Sequence, residues 1–310
     1  MNYLYDNHSF IKTIEIFAGD LFYDNIVFDV FDILYDYYKK IFDNYPFIDD
    51  YTVTNAEDSL TFLTRDPGFS IIMPCNFSFA NNPEQVKKLK SYYEKFRAIN
   101  TKLSLSWSHD GPYTNVREKV DLDDKYYDTI FNLLKDCGWG MHPMISYETI
   151  DSAIDNFKWW LEKIEQYLPE RLDYMPPLLE VRNDGWTEAH IQKYIELLDY
   201  IIMDRFKRCN YDSKELARNL FVEKITKNSG IICGKPYTMD PLRLCPSFGK
   251  NNQMSCGLGH SICVNCANLS LVPCHRLAYS YYTGGHFVLD ETTNTITGIQ
   301  ANESINAYLN

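Results

Sequence analysis

Short β-branched runs alternate with amphipathic helical patterns over the first two thirds of the chain, and this alternation restricts the possible folds. The predicted strands are residues 13–17, 70–74, 103–107, 143–146 and 178–182. The predicted helices between and after them are residues 25–42, 83–99, 123–136, 150–167 and 187–207. Strands that are joined by crossover helices form a parallel sheet with right-handed connections. The pattern therefore predicts an α/β fold of five β/α units, with a last helix near residues 213–227.

The pattern changes after about residue 228, where the sequence becomes rich in Gly, Pro and Cys. Such a change in composition predicts a domain boundary. We therefore expect a β/α domain at residues 1–228 and a small cysteine-rich β-hairpin domain at residues 229–310.

Charge and hydropathy exclude several classes of partner. The formal net charge is −12, and an acidic chain repels the phosphate backbone of nucleic acids. The sequence has no apolar run of about 18 residues, the length that a membrane span requires. Its first residues lack the basic start and apolar centre of a signal peptide. We therefore expect a cytoplasmic protein that binds neither nucleic acid nor membrane.

Five of the nine cysteines lie between residues 245 and 274. Cys256, Cys263, Cys266 and Cys274 follow the spacing C-x6-C-x2-C-x7-C, and Cys245 precedes them. Thiols stay reduced in the cytoplasm, which favours metal ligation over disulfides. Thiolates bind both iron–sulfur clusters and zinc, so a cluster, a zinc site and unligated thiols all remain open. The segment that holds the last three cysteines is predicted to be a β-hairpin with its turn near residues 267–268.

Polar residues follow the predicted strands at the edge where parallel sheets bind ligands. Functional sites on such sheets gather at the carboxyl ends of the strands. The residues at those ends are 18–20, 75–76, 108–112, 147–148 and 183–185, a set rich in acidic residues, glycine and amides. Among them, Asn183 is a candidate to face a cofactor or a substrate.

Three segments occur in an order that resembles a known enzyme family. They are "IEIFAGDLFYD" at residues 14–24, "LSLSWSHDGPYTNVREK" at residues 103–119, and "SCGLGHSICVNCANLSLVPCHR" at residues 255–276. Together they resemble radical S-adenosylmethionine enzymes that carry a C-terminal auxiliary-cluster domain of the SPASM or twitch type. The resemblance covers residues 11–299. It implies a (β/α) barrel of six units, of which five are present here.

The resemblance also implies an activity and its cofactors. Enzymes of this family cleave S-adenosylmethionine reductively to a 5′-deoxyadenosyl radical, which abstracts a hydrogen atom from the substrate. By resemblance, the substrate is a peptide or a small molecule, and an electron donor protein is a possible partner. An auxiliary [4Fe–4S] cluster would order the substrate or carry an electron.

Cofactor-binding residues are implied at two motifs. The family's Gly-Gly-Glu-Pro motif matches residues 18–21, where Gly19 keeps the close backbone approach and Asp20 keeps a carboxylate, while Ala and Leu replace the outer residues. The family's Ser-x-Asp-Gly-Pro motif, with a following Arg, matches Ser108, Asp110 and Arg117. By resemblance Ser108 contacts the cofactor's ribose or carboxylate, and Arg117 its carboxylate.

The auxiliary cluster's ligands are implied at the cysteine-rich segment. By resemblance Cys256, Cys263 and Cys274 are ligands, and either Cys266 or Cys245 supplies the fourth or one iron is left open. Zinc is the alternative metal, because four thiolates with one C-x2-C pair also form a structural tetrahedral site.

The family's catalytic Cys-x3-Cys-x2-Cys loop has no counterpart here, because no cysteine precedes Cys75. Either the chain is a shortened fragment of an enzyme, or it is a relative that binds without catalysing. The second possibility predicts a non-catalytic binding or partner protein with a structural zinc knuckle.

Overall fold

The computed structural model describes residues 1–7, 11–16, 21–44, 68–114, 124–141, 143–169, 172, 180–181, 185–214, 263–272 and 284–301. The chain divides into two compact units. One is Phe10–Lys235, and the other combines Met1–Ser9 with Pro236–Asn310. The predicted boundary near residue 228 and most of the helix predicted near residues 213–227 lie outside the described residues.

The larger unit contains parallel strands that follow one another in chain order. The strands β1 (Thr13–Glu15), β2 (Phe69–Cys75), β3 (Thr101–Trp107) and β4 (Gly138–Met141) form a four-stranded sheet. Directly after β4 comes β5 (Met144–Ile145), which pairs in parallel with β6 (Glu180–Val181). The architecture is therefore mixed α/β, as predicted. Each of the five predicted strands overlaps an observed one, and β2 and β3 extend beyond the predicted bounds.

Five long helices connect or follow these strands. They are α2 (Ile26–Asn44), α3 (Pro83–Ala98), α4 (Asp124–Cys137), α5 (Ala153–Tyr167) and α6 (Glu188–Arg208). Short 3₁₀ turns occupy Ser78–Asn81 and Ile150–Ser152. The Asn82 side chain accepts hydrogen bonds from the first turn of α3, where Pro83 suits the first helical position. All five predicted helices are confirmed, with ends that differ by about three residues or fewer.

Alternation along the strands gives the four-stranded sheet one apolar face. Every second residue of β2 is buried, from Phe69 to Cys75, and the residues between them are half-buried. The Tyr38 ring of α2 lies 4.9 Å from the Phe69 ring, and the Phe131 ring of α4 lies 5.8 Å from the Trp107 ring of β3. Helix α3 packs on α2 and contacts β3. The core of this unit therefore lies between the apolar face and these three helices.

A second part of the core lies beside β5, where α5 and α6 pack on each other. Its buried members are Ile145, Ile150, Ala153, Phe157, Leu161, Leu197, Leu198 and Ile201. Their spacing along both helices is the i, i+3, i+4 pattern of an amphipathic helix. No described helix is long and apolar enough to cross a membrane.

The smaller unit is an antiparallel sheet with the strand order β10-β9-β8-β7. Its strands are β7 (Cys263–Asn265), β8 (Ser270–Val272), β9 (Gly285–Asp290) and β10 (Thr295–Ala301). The short helix α1 (Asn2–Asp6) contacts β10. The predicted cysteine hairpin is confirmed as β7–β8, whereas α1 and the β9–β10 hairpin were not predicted.

Candidate functional site

The loop that follows β3 is fixed to the ends of neighbouring elements. The Ser108 N–H donates to the carbonyl of Cys75 at the end of β2, over 2.7 Å. The next residue but one, Asp110, is 6% exposed, and its Oδ1 accepts a 2.7 Å hydrogen bond from the Met144 N–H of β5. The loop therefore ties the carboxyl ends of β2 and β3 to the start of β5. One oxygen of the Asp110 carboxylate is engaged in this link.

Gly111 occupies a position that favours glycine. Its φ is +105°, and a Cβ built there would overlap the side-chain amide of Asn156 on α5. Asn156 is buried and links the loop to the start of α5. Its Oδ1 accepts a 2.9 Å hydrogen bond from the Tyr113 N–H, and its Nδ2 donates to Ser152 Oγ over 3.2 Å. The loop is thus pre-organised by α5.

His109, between Ser108 and Asp110, points its ring toward the helices. Its ring centroid lies 4.4 Å from that of Trp107 and 5.5 Å from that of Trp159 on α5. The Gly111 N–H donates to His109 Nδ1 over 2.8 Å, so this nitrogen is an acceptor. The imidazole accordingly packs within the helical layer, where it supports the loop.

The end of β2 has a second constrained turn. Asn76 Oδ1 accepts a 2.8 Å hydrogen bond from the Ser78 N–H. Phe77, between them, is fully buried with a left-handed φ of 59°, a conformation that is unusual for a bulky residue. Its ring stacks 5.4 Å from that of Phe79, which in turn stacks 3.8 Å from Phe22. Burial of these rings holds the strained backbone in place.

The face of the sheet opposite the apolar face carries mostly polar side chains, and we call it the polar face. Its members are Thr13, Glu15, Ser70, Ile72, Pro74, Lys102, Ser104 and Ser106. The hydroxyl oxygens of Thr13 and Ser70 lie 2.9 Å apart, which confirms that these register partners share a face. Strands β1 and β2 therefore each place a hydroxyl group on the polar face near their amino ends.

Two groups on the polar face lack polar partners within the described part of the chain. Glu15 accepts no hydrogen bond and forms no ion pair there, and partial desolvation raises the pKa of its carboxyl group. Ser104 is 1% exposed, and its hydroxyl has no hydrogen-bond partner. A buried polar group without a partner is rare in proteins, and Ser104 is such a group, whereas the Glu15 side chain is exposed.

In the smaller unit, Cys263 is the first residue of β7, and Cys266 is the first residue of the β7–β8 turn. Cys263 is half-buried on β7, and Cys266 is exposed at the first turn position. Asn265 Oδ1 accepts a 3.0 Å hydrogen bond from the Ala267 N–H, and Leu269 has a left-handed φ of 58°. Two strand residues separate the cysteines of this C-x2-C pair, and the turn begins at Cys266. The C-x2-C spacing is one that thiolate ligands of a metal centre use.

The described residues include four of the predicted site residues, in two places. Ser108 and Asp110 share the loop after β3, and Cys263 and Cys266 share the hairpin of the smaller unit. The other predicted residues lie outside the described residues: Gly19, Asp20, Arg117, Asn183, Cys245, Cys256 and Cys274.

Sequence analysis did not identify Glu15, Ser104 or Asn156. Glu15 and Ser104 could have been identified from the sequence, because polar and apolar residues alternate in "TIEI" and "LSLSW". Such alternation separates the two faces of a strand. Asn156 had no such signal, since a polar residue within a helix is ordinarily solvent-exposed. Its role depends on a contact with a loop more than forty positions away.

Comparisons of the chain with family models, with curated proteins and with solved structures returned no match. The family resemblance therefore rests on the ordered motifs of the sequence.

Proposed function

We propose that the chain is a radical S-adenosylmethionine-type enzyme, or most of one, that acts on a peptide or small-molecule substrate. The observation that carries the proposal is the rigid Ser108–Pro112 loop at the carboxyl edge of a parallel sheet whose strands follow chain order. Ligand sites of parallel α/β folds lie at this edge.

The arrangement of the sheet supports a partial (β/α) barrel of five units. When each new strand adds to the same side through a right-handed crossover, the connecting helices all lie on one face. Helices α2 and α4 do supply rings to the apolar face, and the polar face has the small hydroxyl side chains that suit a ligand-facing interior. A (β/α) barrel places such a face inward.

The loop supplies binding and orientation in this proposal. The half-buried Ser108 offers a hydroxyl to the cofactor's ribose or carboxylate. Gly111 lets the loop pack closely on Asn156, while Asp110 and Asn156 hold the loop in one conformation. Pre-organised polar groups bind a ligand at a lower entropic cost than mobile ones.

The hairpin cysteines fit a metal centre by their chemistry. Two thiolates at C-x2-C spacing suit either iron or zinc. We assign Cys263, on β7, and Cys266, at the start of the turn, to an auxiliary [4Fe–4S] cluster, with Cys256, Cys274 and Cys245 as the remaining candidates. These cysteine thiolates would hold the cluster, which would supply electron-transfer chemistry at this place.

S-adenosylmethionine binding tests the proposal. Equilibrium dialysis of anaerobically purified protein should show saturable binding of the labelled cofactor. Ser108→Ala should weaken it about ten-fold, because one hydrogen bond to a charged or polar group is lost. Ser91→Ala, on the exposed side of α3, is the matched control and should bind normally. Absence of binding at millimolar cofactor, or equal affinity of Ser108→Ala, would overturn the proposal.

A second candidate function is a non-catalytic binding protein with a structural zinc knuckle. The observation that favours it is that Asp110, a predicted cofactor contact, is buried and gives a carboxylate oxygen to the Met144 N–H, so that its carboxylate serves the fold. One zinc per chain without sulfide, together with no cofactor binding, would select this function.

A further inference from the structure

Strand β1 is an outer strand of the four-stranded sheet, and one of its edges is open. The Ile16 N–H donates to the carbonyl of Ile72 on β2 over 2.8 Å, and the Lys12 carbonyl accepts a hydrogen bond from β2 over 2.9 Å. Backbone groups of alternate residues point to opposite edges of a strand, so the N–H and C=O groups of Thr13 and Glu15 point away from β2. No described residue hydrogen-bonds to these four groups. This edge can therefore accept one further strand.

The apolar side chains of β1 are covered less than those of its neighbour. Ile14 projects to the apolar face of the sheet, as does its register partner Ile71 on β2. Ile71 is fully buried, whereas Ile14 and Ile16, two residues further along, are only half-buried. A neighbour on the open edge of β1 would cover the remaining apolar surface of both residues, which favours its attachment.

Helix α2 lies over β1 and β2, with one side toward the open edge. The Tyr37 hydroxyl accepts a 3.1 Å hydrogen bond from the N–H of Ile11, just before β1, while the adjacent Tyr38 packs its ring against Phe69 of β2. Helix α3 covers the opposite side of α2, at Phe28, which is nine residues and about two and a half turns before Tyr37. The Tyr37 side of α2 therefore faces the open edge of β1.

A row of apolar residues runs along the Tyr37 side of α2. Ile26, Val30, Ile33 and Tyr37 follow the i, i+4, i+7, i+11 spacing of one helical stripe. Ile26 is 47% exposed and Ile33 is 57% exposed, although both lie beside the open edge of β1. One neighbour placed there would cover this row and pair with the strand at the same time. We call the open edge of β1 together with this row the β1 flank.

A second copy of the chain is complementary to the open edge. A twofold axis beside β1 pairs the β1 strands of two copies in antiparallel orientation. When Ile14 lies opposite Ile14 of the second copy, Thr13 lies opposite Glu15, and each such pair exchanges two backbone hydrogen bonds. The four open backbone groups of each copy are then all satisfied. The carboxylates of the two Glu15 residues do not face each other in this register.

The same axis brings the two α2 helices to packing distance. Adjacent strands are about 4.8 Å apart and α2 lies over the boundary of β1 and β2, so the axes of the two helices would be about 10 Å apart, a usual distance for packed helices. The helices run antiparallel. Asp29 and Lys40, which are exposed and eleven residues apart on one side of α2, would therefore each approach the opposite charge of the second copy. The charges beside the row thus complement those of a second copy.

We propose that the β1 flank is the interface of a homodimer, in which β1 pairs with β1 and α2 packs on α2 of a second copy. The four-stranded sheet then continues across both copies, and the apolar rows cover each other. Dimerisation through this surface is independent of the proposed function, because it uses neither the Ser108–Pro112 loop nor the cysteine hairpin.

Sedimentation equilibrium of the full chain tests the proposal. At micromolar concentration the protein should have the mass of two chains. Ile33→Asp places like charges on facing apolar surfaces and should weaken dimerisation at least about 100-fold. Ile191→Asp on α6 is the matched control, because this isoleucine is 50% exposed and lies outside the β1 flank. The control should dimerise as the wild type does.

Two further variants test the strand pairing and the helix pairing separately. Thr13→Pro removes an N–H that points away from β2, so the edge strand tolerates it, and loss of two backbone hydrogen bonds per dimer should weaken dimerisation about ten-fold or more. Lys40→Asp should weaken dimerisation several-fold, and the charge-swapped double variant Lys40→Asp/Asp29→Lys should restore it. Thermal unfolding of each variant establishes that it is folded.

Three results would overturn the proposal. The first is a monomer at every concentration up to about 100 μM, which would leave the β1 flank to a different polypeptide or to solvent. The second is a dimer that Ile33→Asp and Thr13→Pro leave intact, which would place the interface elsewhere. The third is a dimer that Ile191→Asp disrupts as strongly as Ile33→Asp does, since the exposed face of α6 would then take part.

Discussion

Single hydrogen bonds between helices account for part of the stability of the larger unit. The Tyr92 hydroxyl of α3 donates to Asp32 Oδ1 of α2 over 2.5 Å, and the Tyr92 ring is 4% exposed. Tyr92→Phe removes this bond to a charged group and should lower the free energy of unfolding by about 2 kcal/mol. Urea denaturation measures the change.

The pH dependence of the same pair provides an independent check. Two effects raise the pKa of Tyr92 to about 12: desolvation by burial, which is the larger, and the hydrogen bond to Asp32. A phenol whose pKa is raised by folding stabilises the fold fully below pH 10 and loses that contribution as the pH rises toward 12. The difference between wild type and Tyr92→Phe should therefore shrink above pH 10. Tyr93→Phe, whose hydroxyl has no hydrogen bond within the described residues, is the control that should show a smaller loss.

The conformation of Gly111 predicts a strong effect of a minimal substitution. Gly111→Ala places a Cβ at a left-handed φ and into the Asn156 amide, and it should destabilise the protein by more than about 2 kcal/mol. Gly298→Ala is the matched control, because a Cβ there meets no atom within 4 Å. Thermal unfolding of the two variants should separate them clearly, and equal melting temperatures would contradict the account of the loop.

Desolvation of Glu15 has a measurable consequence for stability. The raised pKa of its carboxyl group means that the folded state prefers the protonated form. The stabilisation of the folded state that this preference provides is fully present below pH 4.5 and is lost as the pH rises through the folded-state pKa of Glu15. Glu15→Gln should thus raise the melting temperature at pH 7 and have little effect near pH 4. A lower melting temperature at pH 7 would show that the carboxylate has a stabilising partner.

At the level of helices, the start of α6 depends on one side chain. Thr187 Oγ1 accepts a hydrogen bond from the His190 N–H, and His190 Nδ1 accepts one from the Thr187 N–H. This reciprocal capping box satisfies two backbone donors. Thr187→Ala should cost about 1 kcal/mol in the free energy of unfolding, whereas Thr187→Ser, which keeps the hydroxyl, should cost less. A large loss in both variants would assign the effect to the threonine methyl group.

The long elements could be predicted from the sequence because their patterns are local. The cap at Thr187, the proline at the start of α3 and the alternation of β2 all mark their elements within a few residues. Strand β4 could not be predicted, since "GWGM" has no strand pattern and is extended only by pairing with β3. The β9–β10 hairpin likewise depends on its pairing, because its strands keep few buried residues.

Across the whole molecule, the sequence indicated the class of fold but only part of the candidate site. The Ser108–Pro112 loop was identifiable because its serine, aspartate and glycine have the polarity and turn propensity of a site. The way in which Asn156 and Met144 hold that loop depends on contacts between distant segments, which no local pattern records.

The central claim is that the cysteine hairpin belongs to an iron–sulfur protein of the radical S-adenosylmethionine type. The most direct test is the content of iron, acid-labile sulfide and zinc in anaerobically purified protein. We predict about four irons with a matching amount of sulfide, as one [4Fe–4S] cluster requires. The double variant Cys263→Ala/Cys266→Ala should lose both, and Cys209→Ala, a half-buried cysteine on another unit, should retain them. About one zinc per chain without sulfide would contradict the claim and identify the hairpin as a structural knuckle.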